Sequence, residues 1–144
     1  MSIDINSDMG ELNNLLADGT YEKLMDHVTS INVACGGHAG DTEMMNVMVA
    51  MAKSKGVKLG AHPGYPDKEN FGREEMEDFD PNALLDTVRD QIESLVDIAS
   101  EHDMELTHVK PHGALYNLAV NLSLIHISEP TRRTPISYAV FCLK

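Results

Sequence analysis

Apolar, strand-like runs recur four times in this chain, and each breaks into a turn rich in Asp, Glu, His or Lys. The four strings are Asp4–Glu11 (DINSDMGE), Asn32–Asp41 (NVACGGHAGD), Gly60–Asp67 (GAHPGYPD) and His108–Asn117 (HVKPHGALYN). The pattern predicts strands at Ile3–Asn6, Ile31–Cys35, Val57–Ala61 and Leu106–Val109, from β-branched and apolar content. Between them lie helix-period segments. Asp18–Val28 is a short helix. Thr42–Lys55 is a Met-rich helix with Met44, Met45, Met48 and Met51 at helical spacing, capped by Asp41 or Thr42 and ended by Gly56. Pro81 opens a long helix to about His102 with Asp80 as its cap, and its apolar stripe is Leu84, Leu85, Val88, Ile92, Leu95, Val96 and Ala99. A further helix begins at Gly113. His62–Asp80 is a long loop rich in Pro, Gly and acids, a kind of segment that usually carries function.

The order β-α-β-α-β-α-β, with crossovers of helical length, predicts a parallel sheet with right-handed connections. Polar groups follow every strand, which suits the rim of a β/α barrel better than the single crevice of an open sheet. An eight-unit barrel needs roughly 200–250 residues, so roughly 120 residues supply about half of one. An open four-strand sheet with flavodoxin-like winding is the alternative.

From Leu122 the pattern changes. The string LSLIHISEPTRRTPISYAVFCLK continues neither a helical nor an alternating period. Back-translated, Ser123 to Arg132 resembles the transposon end and adapter of a common sequencing-library kit. Ile136 to Leu143 resembles the flow-cell end of the same adapter, with Arg133–Pro135 as the index between. The expectation is a partial barrel domain over 1–121 and a non-native tail over 122–144 that is disordered or poorly packed. An uninterrupted genomic read coding for this tail would refute that division. Foreign segments are excluded from fold reasoning, so His126 and Cys142 carry no functional weight.

Composition narrows the function classes. The net charge of −12 argues against a nucleic-acid groove or an anionic membrane surface. No apolar run reaches the ~18 residues of a membrane span, and residues 1–20 lack a signal-peptide pattern. Two cysteines give no disulfide framework. The expectation is a reduced, cytoplasmic protein. His27 and His102 read as ordinary surface residues.

Chemistry gathers at the strand ends. Asp8 is a candidate metal ligand or general base. Glu11, three residues on, either shares its face or completes a capping box. Gly36 and Gly37 would let backbone approach a ligand and turn N–H groups toward an anion. His38 follows them, and Asp41 either orients it or caps the next helix. Cys35 reads as a small buried hydrophobe, not a nucleophile. Pro63 stiffens His62 at the rim. Arg73 could clamp a carboxylate or phosphate, or pair with Glu74 or Glu75. Alternation sets His108, Lys110 and His112 on one side of an extended chain, and Lys110 suits an anionic substrate. His38, His62 and His108 or His112, with Asp8, form a candidate divalent-metal site. A rim that binds substrate without metal is the competing reading.

These four strings closely resemble the LamB/YcsF family, over Ser2 to about Asn121. One departure is Ser7, where many members have Cys. The resemblance implies a barrel of the glycoside hydrolase/deacetylase type. It implies ATP-dependent opening of the 5-oxo-L-proline lactam to L-glutamate, in a complex with B and C subunits. On that basis Asp8, His38 and His62 would hold a metal or polarise the lactam. Lys110 would neutralise phosphate or carboxylate charge, and His112 or Glu11 would move the proton. Gly36, Gly37, Arg73 and His108 would bind substrate. The cofactor the resemblance implies is ATP, and the His and Asp residues themselves add a divalent metal as a candidate. A stand-alone metal-dependent amidase or deacetylase, and a non-catalytic subunit that delivers substrate, are the alternatives. The 144-residue chain itself is expected to be inactive, because half a barrel leaves apolar edges uncovered.

Overall fold

A computed structural model describes residues 3–76, 80–121 and 141–142. Strands β1 (Asn6–Met9), β2 (Ser30–Ala34), β3 (Lys58–His62) and β4 (Leu106–Val109) lie side by side in that order, all parallel. Sequential parallel order is the winding of a barrel wall, and the flavodoxin-like alternative would reorder the strands. Helices α1 (Asn13–Ala17) and α2 (Thr20–Met25) join β1 to β2. Helix α3 (Thr42–Lys55) joins β2 to β3, α4 (Pro81–Glu101) joins β3 to β4, and α5 (Gly113–Asn121) follows β4. Of the tail expected to be foreign, Phe141–Cys142 (β5) pairs antiparallel with Val109 and His108 on the β4 edge. Its other residues lie outside the described ones.

Strand alternation divides the sheet chemically. One face carries Met9, Ile31, Val33, Leu59, Ala61 and Val109, which pack with Met44, Met48, Leu95 and Ile98 of α3 and α4 into the main core. The opposite, inner face carries Asp8, Asn32 and His108, tied together by hydrogen bonds. The helices start and stop as their residues dictate. Asp41 Oδ1 accepts from the Met44 N–H, Gly56 closes α3 in the left-handed region, and Asp80 caps α4 ahead of Pro81.

Three sequence expectations need correction. The first strand is Asn6–Met9, not Ile3–Asn6, and Ile3 and Ile5 are exposed. Asp4 instead accepts from the Thr29 and Ser30 hydroxyls, and the strand proper is polar at Asn6 and Asp8, the positions that face the barrel interior. Within Asp18–Val28 the helix is α2 (Thr20–Met25), shorter than expected, and Gly19, at φ +74°, sets its start; α1 lies ahead of the segment. The α4 stripe is narrower than its apolar pattern, because Leu85 and Val96 are exposed while Gln91 is buried.

Gln91 is a structural clasp. Its Oε1 accepts from the Gly64 N–H at 3.1 Å, and its Nε2 donates to the Gly64 carbonyl at 2.9 Å. Gln91→Leu would strand both backbone groups. We expect a loss of about 2–4 kcal/mol, at the usual cost of buried unsatisfied groups, measured by urea denaturation.

Candidate active site

The catalytic candidates lie at or just past the C-terminal ends of β1, β3 and β4. Asp8 sits on β1. Lys110, one residue beyond β4, donates to both Asp8 oxygens at 2.7 and 2.8 Å. A third hydrogen bond comes from Asn32 Nδ2, which reaches Asp8 Oδ1 at 2.8 Å. Burial works against ionising Asp8. The charge of His62 when protonated, with the Lys110 and Asn32 hydrogen bonds, outweighs it and holds the carboxyl below its usual range.

Glu11 lies just after β1 in a turn fixed by Tyr21, whose hydroxyl accepts the Glu11 and Leu12 N–H groups at 3.0 and 2.9 Å. No side chain caps α1, so Glu11 completes no capping box. Its Oε1 faces three imidazoles: His38 Nε2 at 3.1 Å, His112 Nδ1 at 3.4 Å and His62 Nε2 at 3.6 Å. Burial opposes its ionisation as well. The His38 hydrogen bond and the imidazole charges outweigh burial, and its pKa is lowered.

The histidines are held from behind. His62 Nδ1 donates to the Lys110 carbonyl at 2.6 Å, and His112 Nε2 donates to the Phe71 carbonyl at 3.0 Å. Their remaining nitrogens face each other at 3.0 Å. Burial pushes His62 down to about 4 and lowers His112, so both rings are neutral at neutral pH. The His38 and His112 rings stack, with centroids 3.7 Å apart and planes 2° from parallel. His38 is buried and its Nδ1 has no hydrogen-bond partner. Gly64 packs so closely on that ring that a Cβ there would lie 2.5 Å from Nδ1. Glu11, His38, His62 and His112 thus offer donor atoms within 4.8 Å of one another, a group able to hold a metal ion. Asp8 is drawn aside by Lys110, yet its Oδ2 stays 3.5 Å from His62 Nε2.

A cleft of about 700 Å³ opens over this cluster, lined by Asp8, His62, Arg73, Lys110, His112 and Tyr116 among others. A cavity of about 520 Å³ at the opposite ends of the strands is lined by Asp4, Asp26, Lys55 and Lys58, away from the imidazoles. Of the two, the first gathers the strand-end residues Asp8, His62, Lys110 and His112.

Other expected site residues sit elsewhere. Gly37 is buried where an added Cβ would meet Gln91 Oε1 at 2.4 Å and the Gly64 carbonyl at 2.7 Å. It serves close packing. The Gly36 N–H is spent on the Ala39 carbonyl. Neither glycine lines the cleft. His108 lies deeper on the inner face, its Nε2 donating to Asn32 Oδ1 at 2.6 Å. That ties it to Asp8 through Asn32, not to the imidazole group. Asp41 caps α3, and no bond joins it to His38 among the described residues. Arg73 reaches the cleft across the Phe71 ring, 5.4 Å from its centroid, and among the described residues it makes no ion pair to Glu74 or Glu75. Sequence reasoning missed Asn32, Tyr21 and the Phe71 carbonyl. Asn32 alone left a signal, as a polar residue in an otherwise apolar strand.

Cys35 is buried, and burial pushes its thiol up to about 12. It should stay unmodified by iodoacetamide at about pH 7.5 in the folded chain and react after denaturation, read by mass spectrometry of its peptide. Labelling without denaturant would contradict this environment.

A sequence model of the LamB/YcsF family matches residues 3–125. That span ends close to Leu122, where the pattern changes. The chain is 46% identical over 117 residues to the 5-oxoprolinase A subunit of Limosilactobacillus fermentum, covering 81% of this chain and 46% of that protein. It is 48% identical over 120 residues to the 5-oxoprolinase A subunit of Thermococcus onnurineus, covering 83% and 47%. The crystal structure of a lactam utilization protein from Thermus thermophilus superposes with a TM-score of 0.76 at 41% identity, covering 83% of this chain and 48% of that one. The chain spans about half the length of the curated relatives it matches. No helix among the described residues is long and apolar enough to cross a membrane.

Proposed function

Because this chain belongs to the LamB/YcsF family, we propose that it supplies part of the lactam-opening site of a 5-oxoprolinase. In this reading the reaction is ATP-dependent hydrolysis of 5-oxo-L-proline to L-glutamate, by an A subunit working with B and C subunits. The observation that carries it is the cleft holding the Asp8–Lys110 pair beside two neutral imidazoles, in a chain whose relatives are named as the A subunit of 5-oxoprolinase.

The chemistry follows from the substrate. A lactam is a resonance-stabilised amide, so its carbon accepts water slowly unless its oxygen is polarised. 5-Oxoproline also carries a carboxylate. Arg73, on the cleft wall, suits that carboxylate, because a guanidinium matches its two oxygens. Lys110, oriented by Asp8, stabilises the charge that develops on the lactam oxygen. His112 Nδ1, with its partner nitrogen tied to the Phe71 carbonyl, is a neutral base able to take a proton from water and return it to the leaving nitrogen. Glu11 beside it is the second candidate for that transfer.

ATP, when bound, would activate the amide oxygen by phosphorylation. Arg73 and Lys110 are the cations lining the cleft among the described residues, and Lys110 is already paired with Asp8. Two such groups are a poor cradle for a triphosphate, and the ATP coupling rests on the family resemblance.

The test is glutamate formation from 5-oxoproline by the full-length protein with its partner subunits, with and without ATP. ATP-dependent formation supports the proposal. The Glu11 and histidine group favours one second reading, a metal-dependent amidase. ATP-independent turnover that requires a divalent ion would replace the first reading with that one.

A further inference from the structure

We infer that Glu11, His62 and His112 form a three-residue site for a divalent transition metal of the zinc class, with His38 as an orienting partner and not a ligand. The site overlaps the one assigned above to lactam opening, and an ion there would occupy the His112 Nδ1 lone pair, so the metal-bound state and the state in which His112 acts as the base exclude each other. The inference rests on donor geometry alone, and its readout is metal binding, not turnover.

The tautomers make the case. A neutral imidazole has one N–H and one lone pair. His62 spends its N–H on the Lys110 carbonyl, and His112 spends its own on the Phe71 carbonyl. Two lone pairs are therefore left facing each other at 3.0 Å, with the Glu11 carboxylate 3.4 and 3.6 Å away. Three electron-rich atoms at this spacing repel one another unless a cation lies between them. Donors about 2.0–2.1 Å from a tetrahedral zinc stand roughly 3.3 Å apart, close to the spacings here. Ligating histidines usually anchor their second nitrogen on a backbone carbonyl or carboxylate, as both of these do.

His38 is excluded by its plane. A metal lies in the plane of the imidazole that binds it, along the lone pair. The His38 and His112 rings are stacked 3.7 Å apart and 2° from parallel, so one ion cannot lie in both planes. The His62 and His112 planes cross at 89°, which permits a shared ion. His38 Nε2 instead donates to Glu11 Oε1 at 3.1 Å and aims it. Two histidines and one glutamate leave a coordination position open, the pattern of catalytic zinc sites. His62 and His112 line the cleft, so that position is accessible to a small ligand.

The 144-residue chain, purified and dialysed after exposure to zinc, should retain about one zinc per chain by elemental analysis, and zinc should raise its melting temperature. Glu11→Gln, nearly isosteric, should weaken binding at least ~100-fold. His38→Gln, which keeps an N–H toward Glu11, should weaken it by only about 10–100-fold, the usual effect of an outer partner. X-ray absorption of the zinc-loaded chain should count two imidazoles. A chain that melts cooperatively yet retains no zinc and gains no stability from it would overturn the site. Three imidazoles in the absorption spectrum would overturn the exclusion of His38.

Discussion

Replacing Lys110 by Met in the full-length protein, assayed with its partners, should lower the turnover of 5-oxoproline by at least ~100-fold. Mutations that remove one preorganised electrostatic group from an acyl-transfer site have effects of this size. The cause here is double. The substitution deletes the ammonium nearest the proposed lactam oxygen. It also deletes two of the hydrogen bonds that orient Asp8, leaving Asn32 as that carboxylate's remaining donor among the described residues. Met keeps the stem and its packing, and the residue 110 N–H still reaches the Ala61 carbonyl through the backbone. The loss should therefore appear in kcat with folding intact. Near-normal turnover would remove Lys110 from the chemistry and leave it as a structural counter-ion.

The second large effect is expected at Asn32, which is fully buried on the inner face of the sheet. Its amide donates to Asn6 Oδ1 at 2.9 Å and to Asp8 Oδ1 at 2.8 Å, while its own oxygen accepts from His108. Asn32→Leu preserves the branching of the side chain and removes every one of these bonds. His108 Nε2–H and Asn6 Oδ1 lose a partner inside the sheet. We expect a destabilisation of about 2–5 kcal/mol, from two or more stranded polar groups, measured by chemical denaturation. A change below about 1 kcal/mol would show that water replaces the amide without cost.

Asn32 also shows why some of this protein is legible in its sequence and some is not. Helices α3 and α4 declare themselves through local signals: Asp41 and Asp80 as caps, Pro81 at the first turn, Gly56 at the stop. β4 is found where its apolar residues predict it. β1 lies beyond its predicted position because a barrel wall inverts the usual clue. Its inward positions are Asn6 and Asp8, so the functional strand looks like a loop, while the apolar pair Ile3 and Ile5 lies exposed ahead of it. The cleft residues Asp8, His62, Lys110 and His112 stand out because each comes at the end of a strand-like run, and Arg73 because it lies in the long loop after the third. What the sequence does not reveal is how they pair. Asp8 meets Lys110 across 102 positions, and Glu11 meets His38 across 27. The Phe71 and Lys110 carbonyls, which fix the histidine tautomers, carry no side-chain signature at all. Gly36 and Gly37 mislead in the other direction, because a close approach of backbone to ligand and a close approach of Gly37 to Gln91 demand the same missing Cβ.

The central claim is that strand ends distant in sequence build one mouth that holds a small cyclic amide. Its most direct measurement is a crystal structure of the full-length protein soaked with 5-oxoproline. The account predicts the lactam in the cleft between Arg73, Lys110 and His112, its carboxylate toward Arg73 and its lactam carbonyl oxygen toward Lys110. Lactam bound in a different pocket, with this cleft empty, would contradict it.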